Sequence, residues 1–401
     1  MTARRRWGAF GVLLAIVSLA VAVVGTSVGG GATAQGGPIV IGWAYDNSGN
    51  MAPFDGPALA AAQIQIKAIN AKGGVNGRRL QIKACQTQNN NPAKAKSCAR
   101  SLLGGGAHVI FVTCDVDFAT PVVQEAINRG KLAIAPCIGT DQMGPKRFGS
   151  KGKLAFSFGN MAQDEGSAMA EYAWRKGWRT AGLATNTLLV YFKNVVTAFE
   201  KRFTQLGGRI VARESYATGA NNVNTAVSRL NGADADVFVT STAFGELPAL
   251  VGGLRSLGNR TPILNSWAGD GTYWLPQGQD IDEYYAVTYA SIFGDDPNKA
   301  VKAMIASLTK AGAAPGTGGF VTGAAAVDGV VAAIKRAGGS TDGAALARQL
   351  ERFKKVPALG GQVNFSAQYH SVFGRQYRVI RIQDSKARYV GTVRAKVIPK
   401  I

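Results

Sequence analysis

IVIGWAYDNSGNMAPFDGPALAAAQIQIKAINAKGGVNGRRLQIKAC (residues 39–85) is the stretch on which the fold turns. Its first seven residues are an apolar run rich in Ile, which reads as a strand. Residues 54–70 repeat apolar side chains at helical spacing, Gly73-Gly74 stops that helix, and Asn76-Gly77 turns the chain into RLQIKAC (79–85), a second strand. A strand, an amphipathic helix and another strand make a βαβ unit, and strands joined by so long a crossover run parallel. Working outward, the alternation continues through a helix at 92–103 opened by Pro92, HVIFVTC (108–114), a helix at 119–128, KLAIAP (131–136) and the extended KLAFSFG (153–159).

A second run of the same kind follows. Helices at 163–175, 191–206, 223–230 and 244–257 alternate with TAGLAT (180–185), RIVARESY (209–216), DVFVTS (236–241), PILNS (262–266) and YYAVTYAS (284–291). Helices at 297–310, 322–336 and 343–352 can return to the first set, and the strand-rich remainder closes the second. The expected class is therefore α/β, with two doubly wound parallel-sheet lobes joined by a three-segment hinge. The first lobe comprises 38–159 and 290–361, and the second 160–289 and 362–401. The chain would cross between them near 158–160, 288–292 and 360–366.

Residues 1–34 stand apart. Arg4, Arg5 and Arg6, an apolar stretch from Ala9 to Val24 and a small-residue end at Ala32-Thr33-Ala34 read as an export signal cut before Gln35; an uncleaved anchor is the other reading. No Cys lies near that cut, so the protein is not expected to be a lipoprotein. Without the signal the chain carries 42 basic and 24 acidic residues, a formal +18. The charges are dispersed, with Lys146, Arg147, Lys151 and Lys153 the nearest thing to a cluster. An exported chain rarely meets nucleic acid and none is expected as a partner, so contact with an anionic cell surface is one reading and a solvated basic surface without a partner is the other.

Cys85, Cys98, Cys114 and Cys137 fall in one 53-residue stretch of a chain read as exported, where disulfides are favoured. Cys114 and Cys137 would end neighbouring parallel strands, whose spacing of about 5 Å suits a bridge, leaving Cys85 with Cys98. A Cys85–Cys114 bridge is the alternative, because all three strand ends gather on one edge. The cysteines lack zinc-site spacing and only His108 and His370 could add nitrogen, so neither metal nor cofactor is expected.

Nucleotide-binding G-x-x-x-x-G-K-[ST], a G-x-S-x-G elbow and H-E-x-x-H are all absent. What the strand ends offer instead is polar and aromatic: Tyr45 after the first strand, Asp115 and Asp117 after the third, and Thr140 and Asp141 after the fourth. The second lobe adds Tyr191, Phe244, Trp267 and Asp270. Ligands of such sheets bind beyond the carboxyl ends of the strands, and these groups suit a small polar solute, with the acids pairing a cationic group. For each acid the structural alternative is a turn or a helix cap. An enzyme using Asp115 and Asp270 as acid and base is a further reading, but it lacks a nucleophile or metal signature.

Residues 56–80, GPALAAAQIQIKAINAKGGVNGRRL, resemble the first helix and turn of the type 1 periplasmic-binding proteins of the leucine/isoleucine/valine and amide type. INAKGGVNGRRL is the most specific phrase, and NNNPAKA (89–95), LAIAP (132–136) and the run 230–258 extend the likeness. The resemblance implies a non-enzymatic, monomeric solute-binding protein that delivers an amino-acid-like ligand to an ABC transporter permease. A ligand sensor of the same fold, signalling to a membrane partner, is the alternative. Carried across, the loops holding an amino acid look like 115–117 and 138–140, the aromatic lid like Tyr191 with Phe244 nearby, and the ammonium acceptor like Asp270. Asp115 and Cys137-Ile138-Gly139 stand where the family usually has Ser or Ala and Thr. That departure points away from an ordinary branched-chain amino acid, toward a more cationic or hydroxyl-rich solute.

Overall fold

The computed structural model describes residues 36–217, 220–276 and 278–401. The segment read as an export signal lies outside the described residues. Strands β1 (Ile39–Tyr45), β2 (Leu80–Gln86), β3 (Val109–Phe111), β4 (Leu132–Ala135) and β5 (Ala155–Asn160) alternate with α1 (Ala52–Ala71), α2 (Pro92–Gly104), α3 (Val116–Asn128) and the short α4 (Pro145–Phe148). Then come α5 (Ala162–Arg175), β6 (Thr180–Asn186), α6 (Val190–Gln205), β7 (Arg209–Tyr216) and α7 (Ala220–Asn231), followed by β8 (Val237–Ser241), α8 (Glu246–Ser256), β9 (Ile263–Asn265) and β10 (Tyr284–Thr288). Helices α9 (Lys299–Lys310), α10 (Phe320–Arg336) and α11 (Gly343–Leu350) precede the hairpin β11 (Val356–Ala358) and β12 (Gly361–Val363), and β13 (Ser371–Val372), β14 (Tyr377–Gln383) and β15 (Lys386–Val393) finish the chain.

Two sheets result. The first has six strands in the order β13-β5-β4-β3-β1-β2, all parallel; the second has seven in the order β15-β14-β10-β9-β8-β6-β7, antiparallel only at β14 and β15. Inner strands such as VIF of β3 and LAIA of β4 are buried at every residue, because helices cover both faces of a parallel sheet and leave no polar side. The edge strands β2 and β7 are half exposed. Helix α10 packs on α1 at Gly323, where a Cβ would stand 1.9 Å from the Ala58 carbonyl oxygen; only glycine lets the two backbones come that close. Among the described residues no helix is long and apolar enough to cross a membrane.

β13 departs from the sequence reading. Everything after residue 361 is expected in the second lobe, yet Ser371 and Val372 pair with β5 at the edge of the first sheet. Two residues carry no alternation to read. Their placement rests on tertiary bonds: Ser157 N donates to the His370 carbonyl at 2.7 Å, and Ser371 Oγ to the Thr140 carbonyl at 2.6 Å. The chain then passes to β14, and Asp164 at the start of α5 holds that passage by accepting from Gly374 N at 3.0 Å, Arg375 N at 3.3 Å and Tyr377 Oη at 2.9 Å. His370, expected in a polar loop, is buried and stacks on Phe156 with ring centroids 4.0 Å apart.

Disulfides join Cys85 to Cys98, from β2 to α2 with Cα atoms 5.6 Å apart, and Cys114 to Cys137, across the loops after β3 and β4 with Cα atoms 4.7 Å apart.

Candidate functional site

In the first sheet the strand order reverses between β1 and β3, where successive crossovers diverge and leave a crevice beyond the strand ends. Two buried acids build its floor. Asp46, just past β1, accepts from the backbone N–H groups of Ser48, Gly49 and Asn89 at 3.2, 3.2 and 3.0 Å and so folds two loops onto one carboxylate. Asp55, in the first turn of α1, accepts from Asp46 N at 2.8 Å and Cys114 N at 2.9 Å, tying the end of β1 to the loop after β3. Burial pushes the Asp55 carboxyl up to about 7. Asp55 and the sulfurs of Cys114 and Cys137 lie within 4.8 Å of one another, but the sulfurs are bonded to each other and so offer no thiolate to a metal.

Asp115 is the N-cap of α3, which is why that helix starts at Val116, three residues before the sequence reading starts it. Its Oδ1 accepts from Asp117 N at 2.8 Å and Phe118 N at 3.2 Å. Burial, with Asp117 nearby, raises its carboxyl to about 7. Asp115 lines a small cavity with Phe54 of α1 and, from the second lobe, Tyr191, Phe192, Phe244 and Trp267. The space between them is about 20 Å³, room for about one ordered water, so the lobes are closed on each other here. Phe54 meets Trp267 edge to face at 5.0 Å, and Tyr191 packs so tightly over Gly139 that a Cβ there would lie 2.4 Å from its ring.

Polar contacts latch the same face. Val190 N donates to Asp117 Oδ2 at 3.3 Å, Gln163 Nε2 to Asp141 Oδ2 at 2.8 Å and Asn194 Nδ2 to Thr140 Oγ1 at 3.4 Å, each from the second lobe to the first. Arg147 pairs with Asp117 and Lys146 with Asp141, both at 2.8 Å, so half of the basic cluster in the sequence serves these acids. Asp115, Tyr191, Phe244 and Trp267 are thus brought together around the cavity, and Asp117, Thr140 and Asp141 stand at the seam. Tyr45 and Asp270 lie elsewhere. The Tyr45 carbonyl accepts from Thr87 N at 2.9 Å and its ring packs on the core. Asp270 accepts from Thr288 Oγ1 and Gly271 N at 2.7 Å and from Gly318 N, fastening the loop before α10 rather than facing the cavity.

Glu165 is the residue that sequence reasoning missed. Wholly buried behind the aromatic wall, it accepts from Trp267 N and Tyr191 Oη, both at 2.7 Å, and from Asn160 Nδ2. Burial raises its carboxyl to about 7. Its only mark in the sequence is an acid in the first turn of a helix, where dipole and capping effects place acids routinely. Trp267 Nε1 is buried and has no hydrogen-bond partner among the described residues. A larger cavity of about 430 Å³ lies by the third crossing, lined in part by Arg375, Arg378 and Arg394. Arg378 there is bonded to Asp296, and Arg375 donates to the Phe158 carbonyl at 2.9 Å.

A sequence profile described as periplasmic binding protein matches residues 38–387. The chain belongs to that family. Among curated relatives, a Leu/Ile/Val-binding protein homolog 3 from Brucella melitensis is 23% identical over 338 residues, which are 84% of this chain and 89% of the relative. Two solved structures share the fold of this periplasmic binding protein. The branched-chain amino acid transporter substrate-binding protein LivJ from Streptococcus pneumoniae, in complex with isoleucine, superposes with a TM-score of 0.76 at 20% identity, covering 89% of this chain and 99% of that one. A solute-binding protein of an ABC transporter from Rhodopseudomonas palustris, in complex with 3,4-dihydroxybenzoic acid, gives 0.74 at 15% identity, covering 90% and 99%.

Proposed function

We propose that this periplasmic binding protein works outside the cytoplasm as a solute receptor, delivering a small amino-acid-like or other polar ligand to an ABC transporter permease as a monomer and without chemical turnover. The observation that carries the reading is a cavity shared by both lobes beyond the strand ends, with Asp115 on one wall and Tyr191 and Trp267 on the other. A ligand held between them stabilises the closed arrangement by contacts that neither lobe makes alone, which is how binding shifts a two-state equilibrium. In this reading the lobes are 38–159 with 290–361 and 160–289 with 362–401, apart from β13.

The test is thermal unfolding of the oxidised protein against amino acids, amides, polyamines, aromatic acids and sugars. A solute at 100 times its Kd stabilises by about 2.7 kcal/mol. One chemical class is expected to raise Tm and be recovered unchanged; no shift with any solute would sink the reading.

A further inference from the structure

We propose that the solute of this cleft is an organic amine, a protonated nitrogen on an apolar or aromatic body with no carboxylate of its own. The inference rests on the receptor reading above and names its ligand class. It begins at the N-terminus of α3, where unpaired backbone N–H groups make a natural seat for an anion. That seat is taken: Asp117 N and Phe118 N already donate to Asp115 Oδ1. A ligand carboxylate arriving there meets occupied donors and a like charge.

The rest of the cavity points the same way. Asp115 is 4% exposed, lines the cavity, and its Oδ2 has no hydrogen-bond partner among the described residues. That oxygen is not sealed off, and in so small and apolar a space a cation reaching it displaces little water. Five aromatic rings and no Lys, Arg or His are found among the lining residues. The negative faces of such rings attract ammonium groups, most of all where water is excluded. Arg147 and Lys146, the cations of the neighbouring α4, are engaged by Asp117 and Asp141. Glu165 stands behind Tyr191 and Trp267, a further carboxyl beside the same wall. Trp267 Nε1 is a lone neutral donor; it can take a hydroxyl or carbonyl oxygen on the body of an amine, but one donor does not neutralise a carboxylate.

The experiment is calorimetric titration of the oxidised protein with two matched sets: leucine, isopentylamine and 4-methylpentanoate, and phenylalanine, phenethylamine and 3-phenylpropanoate. At least one amine is expected to bind ten or more times tighter than its parent amino acid, with no binding of either deaminated acid. Asp115→Asn keeps an N-cap acceptor and removes the charge; it is expected to weaken the amine at least tenfold, about 1.4 kcal/mol. An amino acid or deaminated acid binding as tightly as its amine overturns this inference and leaves the receptor reading standing. Full amine affinity in both Asp115→Asn and Trp267→Ala overturns it too, since the nitrogen then binds elsewhere. If none of the six binds, the amine assignment falls, and the receptor reading falls with it only if the wider solute panel is also silent. The matched sets are measured on the unmodified chain, so the outcome does not depend on a variant that folds.

Discussion

A carboxyl buried away from water is a liability at neutral pH, and this protein keeps several. Asp55, Asp115 and Glu165 are raised to about 7, and Asp164 and Asp270 to about 6, in each case chiefly by burial. Raised carboxyl pKa values mean that the folded state holds protons which the unfolded chain has released. Stability from these groups is complete below the ordinary values of 3.8 and 4.5 and is lost as pH rises toward 7. Tm is therefore expected to fall between pH 5 and pH 7.5 at constant ionic strength, and Asp115→Asn to flatten the fall; a Tm that rises across this range would contradict the assignment. Glu165 carries a second expectation at this scale. Glu165→Ala leaves Tyr191 Oη and Trp267 N without their acceptor, so solute affinity should drop at least tenfold by calorimetry, with a loss of about 1–3 kcal/mol in denaturant unfolding. Asp115 and Tyr191 could be read as polar and aromatic groups at strand ends, and the structure brings both to one cavity. Glu165 could not, since what distinguishes it is contact with Trp267, a hundred residues away, and the bonds of Asp270 fasten a buried turn, which uses the same residue type as a ligand site.

At the scale of elements, the alternation of strand and helix was readable because buried parallel strands such as VIF and LAIA are short uninterrupted apolar runs between turn residues. β13 was not readable, being two residues placed by its neighbours. The disulfides separate two roles that adjoining elements play. Cys114–Cys137 binds the loop that carries Asp115 to the loop that carries Gly139, whereas Cys85–Cys98 ties an edge strand to its following helix. Replacing either pair with serines should cost about 2–4 kcal/mol, measured by urea unfolding. Only the Cys114→Ser/Cys137→Ser variant should also weaken solute binding; equal affinity losses in both would show that the bridges act on global stability alone.

For the whole molecule, the contacts of Asp117, Thr140 and Asp141 with Val190, Asn194 and Gln163 close the seam. Polar latches at a seam are individually weak, about 0.5–1.5 kcal/mol each, which suits the parting and return of lobes in the proposed receptor cycle. Gly139→Ala places a methyl where the Tyr191 ring sits, so this variant should show a larger radius of gyration by small-angle scattering and at least tenfold weaker solute binding. An unchanged radius with unchanged affinity would mean that the seam is not a moving joint. The two-lobed plan was legible in the order of elements; the degree of closure was not, because it depends on side chains meeting across the seam rather than on any local pattern.

β13 also has a consequence for timing. The outer strand of the first sheet is encoded at residues 371–372, after five strands of the second sheet and before its last two. A polypeptide leaving the ribosome N-terminus first therefore completes neither sheet until its final segment has emerged. Contacts between residues so far apart in sequence also form slowly. Delayed completion has a plain result: no partly made chain holds two finished sheets, so only one synthesised through β15 can lock shut.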